Sequence, residues 1–467
     1  MVFSSTVFLF IFLPAVLIIN FLLRHDYRNI FLLVVSLFFY AWGEGILVLL
    51  MIFSTCINYI AGLGVSYFKN RVLVKTTLGI AITINLLFLI YYKYLDFIFD
   101  TFPFFGSLFA INTSSIILPI GISFYTFHAI SYLVDIYRKG LPGQKNFFDL
   151  GLYIAFFPQL VAGPIVRYSD IVDQLKHRTT DFNLFFEGAI RFIRGLGKKI
   201  IIANTLGLFA DNVFAIPIKE IPTSVSWLGI ICYTLQIYYD FSGYSDMAIG
   251  LAKMFGFHFK ENFNHPYIAK SIQDFWRRWH ISLSTWFRDY LYISLGGNQK
   301  GVYRTYLNLV IVFFVTGLWH GASWNFIIWG LFHGLFLVLE RSNIINLDKF
   351  PTPLKHFYVT MVVVIGWVFF RAETLRDASR YLRVMAGIIS GDNYSALITA
   401  NYYTLVVLVL GILFCMPVRI AWSTYVEKLR AQNFFLVGKC VFYFGLLLWC
   451  ISELATSSYN PFIYFRF

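Results

Sequence analysis

Uncharged apolar runs alternate with short basic clusters along almost the whole chain. A helix needs roughly 20 apolar residues to cross the hydrocarbon core of a bilayer, and stretches near that length recur. The first lies in "MVFSSTVFLFIFLPAVLIINFLLRHDYR". It has no basic residues ahead of it and no small-residue cleavage signal behind it, so it reads as a retained span with its N-terminus outside. Further spans are predicted near 29–41, 45–66, 76–93 and 116–136. Arg24 and Arg28, then Lys69, Arg71 and Lys75, then Arg138, Lys139 and Lys145 follow alternate spans. The connections between them, Trp42-Gly43-Glu44-Gly45 and "YLDFIFDTFPFFGSLFAINTSS", carry no Lys or Arg. That alternation sets an out-in-out-in path with the basic side in the cytoplasm.

The middle of the chain breaks this rhythm. "GLYIAFFPQLVAGPIVR", 151–167, is short for a crossing and is interrupted by Pro158, Gly163 and Pro164. It is expected to be a re-entrant or interfacial element, because irregular backbone at that depth must be buried in protein or line a wet cavity. Residues 167–199 are polar and basic and are expected to lie in the cytoplasm and at the interface. Spans resume near 224–256, 305–319, 322–340, 357–370, 402–416 and 435–453. The runs lack the strict alternation of a membrane barrel. The fold class expected is therefore an all-α polytopic membrane protein of about 11 transmembrane helices with re-entrant and interfacial helices. No internal repeat divides it. We expect one integral-membrane domain over 1–467, with a motif-bearing core at about 116–375 and C-terminal spans at about 400–455.

Composition narrows the function classes. The 467 residues are 58% hydrophobic and 13% charged, whereas about a quarter of a soluble domain is charged. The formal net charge of +13 belongs to cytoplasmic loops, so the partner implied is the lipid bilayer and not nucleic acid. The five cysteines, Cys56, Cys232, Cys415, Cys440 and Cys450, sit in apolar context without paired spacing; they read as small hydrophobes, not disulfides or metal ligands. There is no Gly-x-Ser-x-Gly elbow, no Walker-type phosphate loop and no metal-ligand spacing, so no metal is expected.

Three segments carry polar groups that a passive membrane helix avoids. In "QIYYDFSGYSDMAIG" (236–250), Asp240 and Asp246 lie with Ser242, Tyr244 and Ser245. An intramembrane carboxylate faces the bundle interior or water. Six positions apart, the two point about 120° from one another on a helix, a poor dyad. Pairing with Arg or with backbone amides is the structural alternative to direct chemistry. The segment "QDFWRRWHISLSTWFRDYLYISLGG" (273–297) forms, as one helix, an aromatic stripe of Trp276, Trp279, Leu283, Trp286, Phe287 and Tyr290. Arg277, Arg278, Arg288 and Asp289 fall opposite it. That is the pattern of an interfacial helix, with His280 at the stripe's edge.

The third segment is "FVTGLWHGASWNFIIWGLFHG", in a stretch with no charged residue between Arg304 and Glu340. Residues 305–340 would run about 54 Å as straight helix, against a core of ~30 Å. The chain must break, and Gly317, Gly321, Ser323 and Asn325 are the candidates, with His320 among them. Broken helices expose backbone groups to substrates. A desolvated imidazole favours its neutral form and is then a base for a hydroxyl attacking an activated acyl group. The structural alternative is a histidine bonded to a neighbouring helix, which is the preferred reading for His333.

"DFSGYSDMAIG", "FWRRWHISLSTWFRDYLYISLGGN" and "GLWHGASWNFIIWG" together resemble the membrane-bound O-acyltransferase family, in its branch of alginate O-acetylation membrane proteins. "FFYAWG", "LPIGISFYTFHAISYLVDIYR" and "FFPQLVAGPI" extend the resemblance to about residue 375. It implies a ring of helices around a central funnel, a catalytic histidine in the Trp-His-Gly context at His320, and a second active polar position at His280. Gly321-Ala322-Ser323-Trp324 varies a loop of that pattern. The resemblance also implies an acyl group taken from the cytoplasm and delivered outward, with an extracytoplasmic acetyltransferase protein as partner. A sister branch transfers D-alanine to teichoic acid from an acylated carrier.

The reading that results is an O-acyltransferase in the cytoplasmic (inner) membrane, with His320 and His280 catalytic. Asp240, Ser242, Tyr244, Asp246, Arg277, Arg278, Trp319 and Asn325 are the expected substrate contacts. No tightly bound cofactor is expected; the donor is acetyl-CoA or another acyl thioester, and the acceptor is a polysaccharide such as alginate. D-alanyl transfer, and transport of the acyl donor without chemistry, stand as alternatives.

Overall fold

Backbone groups with no water to bond must bond one another, and this chain meets the demand with helices; no strand occurs among the described residues. The computed structural model describes residues 1–104, 106, 113, 116–398, 400–417, 433–456, 459–461 and 463. Most of the Lys- and Arg-free stretch after residue 104 therefore lies outside the described residues, as does part of the predicted C-terminal region. Helices over His25–Tyr67, Arg71–Thr101, Val302–His320, Thr352–Arg371 and Leu436–Thr456 contain stretches long and apolar enough to cross a membrane. The chain is a multi-pass α-helical membrane protein.

Two compact units divide it: residues 1–189 with 248–260, and residues 190–247 with 261–467. In the first, α1 (Leu13–Leu22), α2 (His25–Glu44), α3 (Val48–Tyr67) and α4 (Arg71–Leu89) follow one another closely, with a short α5 at Leu95–Thr101. Asn58 and Asn85 exchange amide hydrogen bonds of 3.0 and 2.9 Å between α3 and α4, polar glue of the kind that joins helices in lipid. Every residue from Ile122 to Ile136 of α6 (Ile122–Lys139) is buried, so this helix is a centre of the unit. The re-entrant candidate is broken at its prolines into α7 (Phe147–Ala155), α8 (Phe157–Leu160) and irregular chain. Its residues 150–166 are buried, which satisfies the condition for irregular backbone. The amphipathic α9 (Tyr168–Lys176) ends this run.

The polar stretch 167–199 is helical over most of its length. α10 (Phe182–Gly197) continues through a π-turn at Lys198–Ala203 into α11 (Asn204–Ala215). The result is an uninterrupted helical run from Phe182 to Ala215 that hydropathy does not mark out. Arg191, Lys198 and Lys199 hid it, because each basic group depresses apparent hydropathy while pairing inside the protein: Arg191 and Lys198 with Asp246, Lys199 with Asp240. A Cβ added at Gly195 would stand 2.5 Å from the Gly243 carbonyl. Only glycine lets α10 and the next helix, α12 (Thr223–Met254), approach this closely. α12 has 32 residues, about 48 Å of helix, longer than the hydrocarbon core.

The second unit continues with α13 (Ile272–Arg278), α14 (Ile281–Trp286), α15 (Val302–His320), α16 (Trp324–Arg341) and α17 (Thr352–Arg371). The amphipathic α18 (Leu375–Met385), a short α19 (Ser395–Ile398), α20 (Tyr402–Phe414) and α21 (Asn433–Thr456) complete it. α15 and α16 form a tight antiparallel hairpin. A Cβ on Gly317 would collide with the Phe326 carbonyl, and one on Gly330 with the Phe313 carbonyl.

Candidate active site

The α15–α16 turn sets His320. The helix ends on that residue, and Gly321, Ala322 and Ser323 form the break before α16 starts at Trp324. Gly321 is extended, at φ −167°, and a side chain there would strike the Phe326 ring. His320 is 4% exposed. Three aromatic rings meet it edge-on: Trp319 at 5.0 Å between centroids, Trp329 at 5.0 Å and Phe370 at 5.4 Å. Trp329 in turn packs on Trp367. The helix break thus places one imidazole in a wall of indole and phenyl rings contributed by α15, α16 and α17.

His280 lies elsewhere than the sequence pattern placed it. The single amphipathic helix expected over 273–297 does not form. α13 stops at Arg278, α14 starts at Ile281, and a π-turn follows at Phe287–Tyr292. His280 stands in the gap in a left-handed conformation, φ 43° and ψ 54°. A β-carbon makes that region unfavourable by about 1–2 kcal/mol. Strain of this kind concentrates at functional sites. The break turns His280 from a stripe's edge into the interior, where it has no exposed surface. Its ring meets Phe241 edge-on at 4.5 Å and lies 6.1 Å from Trp319. Trp319 is therefore a shared wall, buried and touching both imidazoles. The two histidines, forty positions apart in the chain, belong to one cluster.

The carboxylates of α12 belong to ion pairs. Asp246 accepts from Arg191 at 2.6 Å and from Lys198 at 2.7 Å; Arg191 also holds Glu261. Asp240, buried, pairs with buried Lys199 at 2.7 Å. It also accepts the Ile463 backbone N–H at 2.8 Å, and Lys199 donates to the Pro461 carbonyl. Asp240 thus anchors the distal chain to the core of the unit. Ser242 and Tyr244 are buried on the same helix.

The remaining expected contacts separate. Asn325 donates its amide to the Ala372 carbonyl at 2.6 Å, closing the C-terminus of α17. Arg278 is tied to Asp274 at 2.9 Å, and Arg277 is exposed. His333 is buried against Trp276 and Trp329, with its Nε2 facing Gly366. Sequence reasoning passed over Trp329, Trp367, Phe370, Phe241 and Asn262. The rings were legible as apolar residues, but nothing in their spacing said which would face a histidine. No group of three or more metal-ligating side chains occurs among the described residues.

An aromatic cluster holding two buried imidazoles at helix breaks suits proton transfer to or from a hydroxyl, and surroundings of this kind keep water from an activated acyl group. Residues 137–371, which contain both histidines, match MBOAT, the membrane-bound O-acyltransferase family. The chain belongs to the membrane-bound O-acyltransferase family. As a family member it is an O-acyltransferase. It is 48% identical to a probable alginate O-acetylase, AlgI, of Pseudomonas aeruginosa, over 82% of this chain and 75% of the relative. It is 35% identical to a peptidoglycan O-acetyltransferase of Helicobacter pylori, over 83% of this chain and 80% of that protein. It is 32% identical to a teichoic acid D-alanyltransferase of Bacillus subtilis, over 47% of this chain and 58% of the relative. Within this membrane-bound O-acyltransferase the histidine cluster falls inside the matched region, whereas α20 and α21 lie beyond it.

Proposed function

We propose that this protein transfers an acetyl group from a cytoplasmic thioester donor, acetyl-CoA or a related acyl thioester, towards a hydroxyl of a cell-envelope or secreted polysaccharide such as alginate. The observation that carries the reading is His320, buried at the α15–α16 break and walled by Trp319, Trp329 and Phe370. Neutral His320 takes the proton of the attacking hydroxyl as its oxygen bonds the acyl carbon. The carbon–sulfur bond then breaks, and the thiolate leaves with that proton. His280 and Trp319 complete the cluster, and the aromatic wall slows competing hydrolysis. Acetyl is favoured over D-alanyl because similarity to the O-acetylating relatives covers over four-fifths of the chain, against about half for the D-alanyltransferases.

The protein works in the cytoplasmic membrane, with the donor on the cytoplasmic side and an extracytoplasmic acetyltransferase as partner. The test is mass analysis of polymer O-acetylation in a deletion strain complemented with the parent or with His320→Ala. Restoration by the parent alone is expected. Full acetylation by a His320→Ala protein present in the membrane at parent levels overturns the reading.

A further inference from the structure

Asn262 lies in the connection between α12 and α13, outside every motif discussed above, and is 1% exposed. Both of its carbonyls face the strained turn at His280. The main-chain oxygen accepts the Ile281 N–H at 2.9 Å. The side-chain oxygen, Oδ1, is 3.1 Å from the Ser282 backbone nitrogen, 2.9 Å from Ser282 Oγ and 3.2 Å from His280 Nδ1.

These contacts fix a protonation pattern. Amide and imidazole orientations are ordinarily assigned from their partners. Here the Ser282 backbone nitrogen is an N–H whatever the assignment, so the side-chain atom facing it must be the oxygen. An amide oxygen only accepts. Ser282 Oγ also lies 3.5 Å from His280 Nδ1, but its hydroxyl donates to Asn262 Oδ1 at the shorter 2.9 Å, so Nδ1 carries the hydrogen of its own contact with Oδ1 and the basic lone pair of the neutral ring falls on Nε2. The opposite tautomer would set two lone pairs against each other at 3.2 Å. Second partners of this type fix ring orientation and tautomer at other histidine sites.

We infer that Asn262 is a positioning residue that holds His280 as its Nδ1–H tautomer, presenting Nε2 as the proton-accepting atom of the histidine cluster. The inference rests on the reading of His280 as part of the active site. Asn262 acts through His280 and through the turn. Phe241, Phe263 and Trp319 face the ring, and the nearby titratable group is His320, on the other side of Trp319.

The test uses the full chain in nanodiscs, labelled with ¹⁵N-histidine, with ring-nitrogen shifts read by NMR. His280 is assigned by the signal lost in His280→Asn. The parent is expected to show a protonated Nδ1 and an unprotonated Nε2 on His280. Asn262→Ala is expected to give a mixture of tautomers. Asn262→Asp keeps the acceptor and adds negative charge beside Nδ1–H, which stabilises the imidazolium. Its ring should stay in the Nδ1–H form and titrate about one to two pH units higher than the parent. A parent ring protonated on Nε2 overturns the inference. So does an Asn262→Ala protein whose His280 signals match the parent's. If Asn262→Ala fails to fold, Asn262→Asp decides alone, and an unmoved titration overturns the inference.

Membranes supplied with labelled acetyl-CoA separate this inference from the reading beneath it. Transfer undiminished in His280→Asn defeats the site reading and leaves the tautomer result standing. Transfer lost in His280→Asn, with parental tautomer and rate in Asn262→Ala, defeats the inference alone.

Discussion

Two helix breaks each deliver a histidine to the same cluster, and they do so by opposite means. At His320 the break is built from small residues. Gly321 adopts an extended conformation open to any residue, and its role is space, since a side chain would meet Phe326. At His280 there is no glycine. The histidine itself takes the left-handed conformation, and Asn262 holds the turn from a separate segment. The first break is relaxed and local. The second is strained and depends on residues eighteen positions away. A relaxed break can be read from one stretch of chain; a strained one exists only because the surrounding structure compels it.

The largest effect should come at the relaxed break. His320→Ala is expected to reduce acyl transfer by about 10²–10⁴-fold, with insertion and thermal stability retained, as measured by polymer acetylation beside detergent melting curves. Comparable loss of folded protein would make His320 structural.

The buried charge pairs on α12 are the next test. Asp240→Asn leaves the Lys199 ammonium without its carboxylate and should destabilise the protein by about 3–5 kcal/mol. Asp240→Asn combined with Lys199→Met should recover much of that in melting measurements. An Asp240→Asn protein that melts like the parent but has lost transfer would move Asp240 from scaffold to site.

At the strained break, His280→Asn removes the base while keeping a residue that tolerates the left-handed region. Transfer should drop about 10²-fold with an unchanged melting temperature. Should stability collapse together with activity, the ring's packing and not its chemistry would explain His280.

Gly317→Val probes the hairpin behind His320. Forcing a branched side chain against the Phe326 carbonyl should cost about 1–3 kcal/mol and lower transfer, while the His280 ring-nitrogen shifts stay parental. The smallest effect is expected from Arg277→Gln. Its side chain is exposed, so stability should stay within about 0.5 kcal/mol and the rate near the parent's.

How much of this was legible beforehand follows from the range of the forces involved. The break at His320 was readable because length alone forbids one straight helix, and the glycines needed for it are neighbours in sequence. The interruption of the buried segment 151–167 was readable from Pro158, Gly163 and Pro164, which are again neighbours in sequence. The helix 182–215 was not, since its Arg and Lys residues count as polar until their acidic partners on α12 are known. The His280 break was masked by a valid local rule. The stripe of Trp276, Trp279, Leu283 and Trp286 has true helical spacing, yet competing hydrogen bonds from Asn262 interrupt the helix.

By itself the sequence determined that this chain lives in a membrane, runs as helices and breaks at His320. Those properties follow from hydrophobic length and local backbone geometry, which neighbouring residues decide. Tertiary structure alone decided that Asp240 and Asp246 are tied into ion pairs, that Trp329 and Phe370 wall one imidazole, and that Asn262 orients the other. Each of these depends on side chains brought together from distant helices, where burial makes pairing obligatory and the partner is whatever the packing supplies.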